Sequence, residues 1–67
     1  MAKIQLNGKK VTIKNNDSIF DLLKKYKLLN KKVAVEHNGT IVAKEIFKKK
    51  LLKNNDRVEI VHFIGGG

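Results

Sequence analysis

Few side chains in this sequence are suited to covalent chemistry. Ser18 is the only serine and cysteine is absent. Ser18 stands directly before an apolar run with Asp21 three residues on, which is the place of a helix cap rather than a nucleophile. His37 and His62 fall on different expected strands, with neither HxH nor HExxH spacing, whereas zinc normally takes three or four converging ligands. The six acidic residues are scattered: Asp17 and Asp21 belong to the helix start and Asp56 to a turn. Gly8 and Gly39 are turn glycines outside any GxxxxGK or GxGxxG phosphate loop. No nucleophile–base pair is in view, so the chain is not read as an enzyme.

What remains is the carboxyl end. Gly65-Gly66-Gly67 adds nothing to a core, having no side chains and maximal unfolded-state entropy. It runs straight on from the strand-like Val61-His62-Phe63-Ile64. Such a tail can thread a narrow channel and deliver its carboxylate to another protein's active site. At about 3.3 Å per extended residue it reaches about 10 Å beyond Ile64. A bare carboxylate is a poor electrophile, so a partner must first activate it, for example as a mixed anhydride with AMP. The expected division is a single domain over residues 1–64 and a flexible glycine tail over 65–67.

The elements that must present this tail follow from local pattern. Lys3-Ile4-Gln5-Leu6 and Val11-Thr12-Ile13 alternate as strands around Asn7-Gly8, the pair that best suits a type I′ turn. With that turn, Ile4 faces Val11 and Leu6 faces Lys9, which keeps the apolar set on one face. A helix capped by Ser18 follows, with Ile19, Leu22, Leu23 and Tyr26 on one stripe and an end expected near Leu28 to Asn30. Val33–His37 and Thr40–Val42 form a second hairpin around Asn38-Gly39, so that Val35 meets Val42. Residues 44–53 read as a short helix or an irregular crossing anchored by Ile46, Phe47, Leu51 and Leu52. Asn54-Asn55-Asp56 is a turn, and Val58-Glu59-Ile60 a last strand.

This order fits an α+β fold: a mixed sheet of four or five strands with the main helix on one face. The last strand lies parallel beside the first in the centre, which is the β-grasp, or ubiquitin-like, arrangement. The expected core is Ile4, Leu6, Val11, Ile13, Ile19, Leu22, Leu23, Val33, Val35, Val42, Val58 and Ile60.

Composition bounds the rest. Sixty-seven residues make one domain, and without cysteine the natural compartment is a reducing one, the cytoplasm. No apolar run approaches the roughly 18 residues of a membrane span, and no signal-peptide pattern opens the chain. The net charge is +9, yet Arg57 is the only arginine, and arginine's planar fork is what base and phosphate recognition favour. The residue types Lys, Asn and Ile make up 28 of the 67 positions, as coding bias toward A and T would produce. Lys48-Lys49-Lys50 reads as a solvated run. Nucleic acid is therefore not the expected partner; a small basic nucleic-acid module is the alternative, marked by salt-sensitive binding indifferent to loss of the tail.

Several segments together resemble one family. They are Ser18-Ile19-Phe20-Asp21-Leu22-Leu23, Val35-Glu36-His37-Asn38-Gly39-Thr40-Ile41-Val42, Asp56-Arg57-Val58-Glu59-Ile60 and the terminal Gly66-Gly67. The sequence is similar to the thiamine-biosynthesis sulfur carrier family (ThiS) over essentially its whole length, without insertions. The diglycine end is shared with ubiquitin and with the molybdopterin sulfur carrier; the short length and the Val-x-x-Asn-Gly-x-x-Val segment point to the thiamine branch.

The resemblance implies a carrier whose Gly67 carboxylate is adenylated with ATP by a ubiquitin-activating-like enzyme. It is then converted to a thiocarboxylate with sulfur mobilised from cysteine and donated to thiazole synthase. No cofactor is bound by the chain itself. Gly65 and Gly66 give a slim approach, Phe63 and Ile64 dock at the channel mouth, and Val61 or Ile41 adds apolar contact on the open sheet face. A molybdopterin acceptor is the alternative with the same tail chemistry. The family commonly has glycine where this chain has Asn55, and proline where it has Ala43. The strong positive charge leads to an expectation of acidic docking surfaces on the activating enzyme, with affinity that falls as salt rises.

Overall fold

The computed structural model describes residues 1–63. Strands β1 (Ala2–Leu6) and β2 (Lys9–Ile13) are followed by helix α1 (Ile19–Lys25), β3 (Val33–His37), β4 (Thr40–Ile41), a single 3₁₀ turn (Lys44–Ile46) and β5 (Arg57–His62). They form a five-stranded sheet in the order β2-β1-β5-β3-β4. β5 runs parallel to β1, with Gln5 opposite Arg57 and Leu6 opposite Val58, and antiparallel to β3. The last strand is therefore central, as the β-grasp reading requires.

Both hairpins take the expected register. Asn7 and Gly8 both have positive φ (50° and 83°), as do Asn38 and Gly39 (51° and 87°), which is the type I′ geometry whose twist matches the flanking strands. Ile4 accordingly faces Val11 and Leu6 faces Lys9. In the second hairpin Glu36 faces Ile41, and the Val42 amide donates to the Val35 carbonyl at 2.9 Å.

Helix α1 starts as the sequence predicts. The Ser18 hydroxyl accepts from the Asp21 amide at 3.1 Å, while the Asp21 carboxylate accepts from the Ser18 amide at 2.9 Å, closing a capping box. The helix ends earlier than the apolar stripe suggests, with Tyr26 as its cap. Lys27 adopts φ 59°. Its amide donates to the Lys24 carbonyl at 3.1 Å and that of Leu28 to the Leu23 carbonyl at 2.8 Å. This is a Schellman stop with lysine where glycine usually sits. Tyr26 is consequently exposed, and Leu28 packs onto the core from outside the helix.

The core lies between α1 and one sheet face. Ile4, Ile13, Ile19, Leu22, Leu23, Val35, Val42, Val58 and Ile60 are buried as expected, but so are Ala2, Phe47 and Leu52. Leu6, Val11 and Val33 are only partly buried, packed against this cluster. Of the four apolar anchors of the 44–53 segment, Phe47 and Leu52 turn in, whereas Ile46 and Leu51 are exposed. The crossing is fastened by backbone bonds: the Phe20 amide to the Phe47 carbonyl, Ile19 to Lys50, and Leu52 to Asp17.

Candidate functional site

The carboxyl end is delivered by β5, and its neighbours hold that strand on both sides. Beyond the ladders to β1 and β3, the Ile60 amide donates to Asn7 Oδ1 at 2.7 Å and Asn7 Nδ2 donates to the Ile60 carbonyl at 3.3 Å. The Arg57 amide donates to Asn38 Oδ1 at 2.8 Å, and the Asn38 amide donates to the Arg57 carbonyl at the same distance. Both turn asparagines thus serve twice, once through their φ angle and once as side-chain clamps on the strand that leads to the tail. Sequence reasoning identified only the first role. The Phe63 amide adds one more rung, to the Lys32 carbonyl at 3.0 Å.

The turn before β5 is organised by Asp56. Its carboxylate meets His37 Nε2 at 2.6 Å and accepts from the Lys53 amide at 2.8 Å and Asn38 Nδ2 at 3.1 Å. Burial pushes the Asp56 carboxyl up, but the bonds from His37, Lys53 and Asn38 outweigh it, so its pKa lies below the ordinary value. His37 is thereby engaged in tying the second hairpin to this turn. Asp21 also lies low, held there by the Ser18 amide and then the Ser18 hydroxyl. Ser18 is buried and committed to its cap. Among the described residues no three His, Asp or Glu side chains gather as a metal site.

The expected contact residues separate into two surfaces. Val61 and Ile41 lie on the sheet face away from α1, exposed by 58% and 65%. Phe63 instead lines a groove of about 520 Å³ at the helix side of the sheet end, with Phe20, Leu28, Leu29 and Phe47. Lys48 stands at its rim, its Nζ 4.8 Å from the centre of the Phe20 ring. Ile64 and the tail residues Gly65, Gly66 and Gly67 lie outside the described residues, as does the end of the domain expected at residue 64.

Comparison with known proteins finds matches along nearly the whole chain. The ThiS family model matches residues 4–67. The sulfur carrier protein ThiS of Bacillus subtilis is 49% identical over 65 residues, covering 96% of this chain and 98% of that protein. A thiazole synthase of Magnetococcus marinus is 37% identical over 65 residues, covering 97% of this chain but only 20% of that enzyme. The crystal structure of the thiamine biosynthesis protein ThiS from Geobacter metallireducens superposes with a TM-score of 0.84 at 32% identity, covering 97% of this chain and 99% of that one. Shared sequence and shared topology extend from the first hairpin to the last strand: the chain belongs to the ThiS family.

Proposed function

We propose that this chain carries sulfur on the carboxylate of Gly67 and surrenders it to thiazole synthase. As a ThiS-family member it is a sulfur carrier of thiamine biosynthesis and not an enzyme. The observation that carries the reading is the near-complete match to the Bacillus carrier, joined to a sequence in which three glycines follow the central strand. In the proposed cycle an adenylating partner couples the Gly67 carboxylate to AMP, with pyrophosphate leaving from ATP. Sulfide-level sulfur derived from cysteine then attacks the carboxyl carbon, and AMP leaves with one of that carbon's oxygens, so that a thiocarboxylate remains. The chain itself binds no cofactor in this cycle; ATP belongs to the partner. Gly65 and Gly66 let the terminus pass a channel too narrow for side chains, and Phe63, Ile64, Val61 and Ile41 supply the contacts around it. With no cysteine anywhere in the chain, no internal thiol competes for the activated carboxyl.

The thiazole synthase relatives support the choice of acceptor. This chain corresponds to about a fifth of their length, so in those proteins a unit of this kind shares one polypeptide with the enzyme. The cytoplasm is the proposed location; no helix among the described residues is long and apolar enough to cross a membrane.

Mass spectrometry tests the proposal. After incubation with the adenylating enzyme, ATP and a cysteine-derived sulfur source, one oxygen at Gly67 is replaced by sulfur. Deleting Gly66 and Gly67 abolishes the change and the chain's support of thiamine synthesis. A mass that never changes, with a deletion that is harmless, overturns the reading.

A further inference from the structure

The two hairpins close on the same dipeptide, Asn7-Gly8 and Asn38-Gly39. Asparagine before glycine is chemically fragile, because glycine's missing Cβ lets its nitrogen reach the asparagine side-chain amide. Neither the Gly8 nor the Gly39 amide donates a hydrogen bond among the described residues, and a Cβ at either glycine would meet nothing within 4 Å. The attacking nitrogen is therefore uncommitted at both turns.

The structure that holds each turn separates them. Ring closure requires the asparagine side chain to leave its partners and rotate toward the next nitrogen, so it proceeds through local opening of the hairpin. Asn7 is held by a ladder of five pairs between β1 and β2 that ends at buried Ile13. Its side chain bonds the Ile60 backbone twice, in a half-buried position. Asn38 is held by only two pairs, Glu36 with Ile41 and His37 with Thr40, and both residues of β4 are exposed at the sheet edge. Its bonds to the Arg57 amide and to Asp56 Oδ1 lie in exposed positions.

We propose that Asn38 is a modification site that deamidates through its own turn, while the rest of the fold protects Asn7. The Gly39 nitrogen, its proton lost to solvent base, attacks Cγ of Asn38. A cyclic imide closes, the Cγ–Nδ2 bond breaks, and Nδ2 leaves as ammonia after taking a proton from water. Water then opens the imide at one of its two carbonyls. Attack at Cγ releases the ring nitrogen and leaves aspartate. Attack at the main-chain carbonyl carbon breaks its bond to Gly39 and leaves isoaspartate, with one extra carbon in the backbone. Either way, an amide and a water become a carboxylate and ammonia. Asn38 Nδ2 donates to Asp56 Oδ1 at 3.1 Å, and Asp56 also holds His37 and the Lys53 amide. Deamidation replaces that donor by a carboxylate oxygen, so two like charges meet where a hydrogen bond stood. The isoaspartate form also lengthens the turn that sets the β3–β4 register. Both products loosen the entry to β5, the strand that leads to the tail.

Incubation of the full chain at mildly alkaline pH, folded and in urea, tests this. Cleavage after lysine separates Ile4–Lys9 from Val33–Lys44, each with one asparagine, and mass spectrometry follows amide-to-acid conversion in each. Relative to its own rate in urea, Asn38 is expected to convert at least about fivefold faster than Asn7 in the folded chain. Fragmentation of the product locates the carboxylate and distinguishes aspartate from isoaspartate. The aged chain, separated by ion exchange, is expected to unfold at a lower urea concentration than the fresh one. Asn38→Asp, made directly, repeats that comparison with the turn length unchanged. Equal or greater protection of Asn38 overturns the proposal, as does conversion at neither turn. It also falls if the aged chain and the Asn38→Asp variant are both as stable as the fresh chain. Conversion is read without ATP or any partner protein, so its failure leaves the carrier reading intact.

Discussion

Asn7 and Asn38 each combine a left-handed backbone with side-chain bonds to β5. Asn7→Gly keeps the turn's φ freedom and deletes both bonds to Ile60. It is expected to lower unfolding free energy by about 1–2 kcal/mol in urea titrations, while mass spectrometry still finds the terminus competent for sulfur. The turn role of both asparagines was legible in Asn-Gly; the clamp was not, because Asn7 and Ile60 are 53 positions apart and no local pattern links them. Asp21 and Asp56 give the residue scale its pH dependence. Their folded pKa values lie below the ordinary one, so in acid the folded chain binds fewer protons than the unfolded chain. The stabilisation is therefore complete above about pH 4 and is lost as pH falls through the lower folded values. Urea midpoints measured from neutral pH downward should decline in that range, and Asp56→Asn should flatten the decline.

At the scale of elements, the strands were the most readable part, since turn type, register and alternation each constrain the others. The helix stop was not readable. Leu28 prolongs the apolar period, and nothing in Lys27 announces a positive φ. Lys27→Gly removes that steric strain and is expected to stabilise by about 1 kcal/mol, seen as a higher urea midpoint. The 44–53 crossing lacked periodicity, so the sequence could not separate the buried Phe47 and Leu52 from the exposed Ile46 and Leu51. Ala43 stands where the family resemblance leads one to expect proline. Its φ of −68° and ψ of 141° already match those of proline, and its amide makes no hydrogen bond among the described residues. Ala43→Pro should therefore raise stability by about 0.4–1 kcal/mol through the unfolded chain, measurable by the same titration.

For the whole molecule, the carrier function was legible in the segments that resemble the ThiS family, which the family match bears out. The proposed role of the terminal glycines rests on their lack of side chains, which composition records directly. The placement of the expected contact residues was hidden because it arises from pairing across strands. Val61 and Ile41 share a face only because β3 lies between β5 and β4, and Phe63 leaves that face for the helix-side groove. Net charge told least, since a sum over the chain conceals where charges sit: Lys3, Lys10 and Arg57 border one depression, whereas Glu36 and Glu59 lie opposite each other on β3 and β5. Deleting Gly66 and Gly67 should leave the unfolding free energy within about 0.5 kcal/mol of the native value while abolishing sulfur loading. Carrier activity and fold stability would then be separable in one protein.

The parallel seam between β1 and β5 bears on how the carrier is made. Gln5 cannot find Arg57, nor Asn7 find Ile60, until the roughly fifty residues between them have been synthesised, and contacts of such long sequence separation form late and slowly. The strand that presents the terminus is therefore among the last to be locked in place. A copy without β5 lacks the centre of the sheet, so the first hairpin and β3 lose the strand they share.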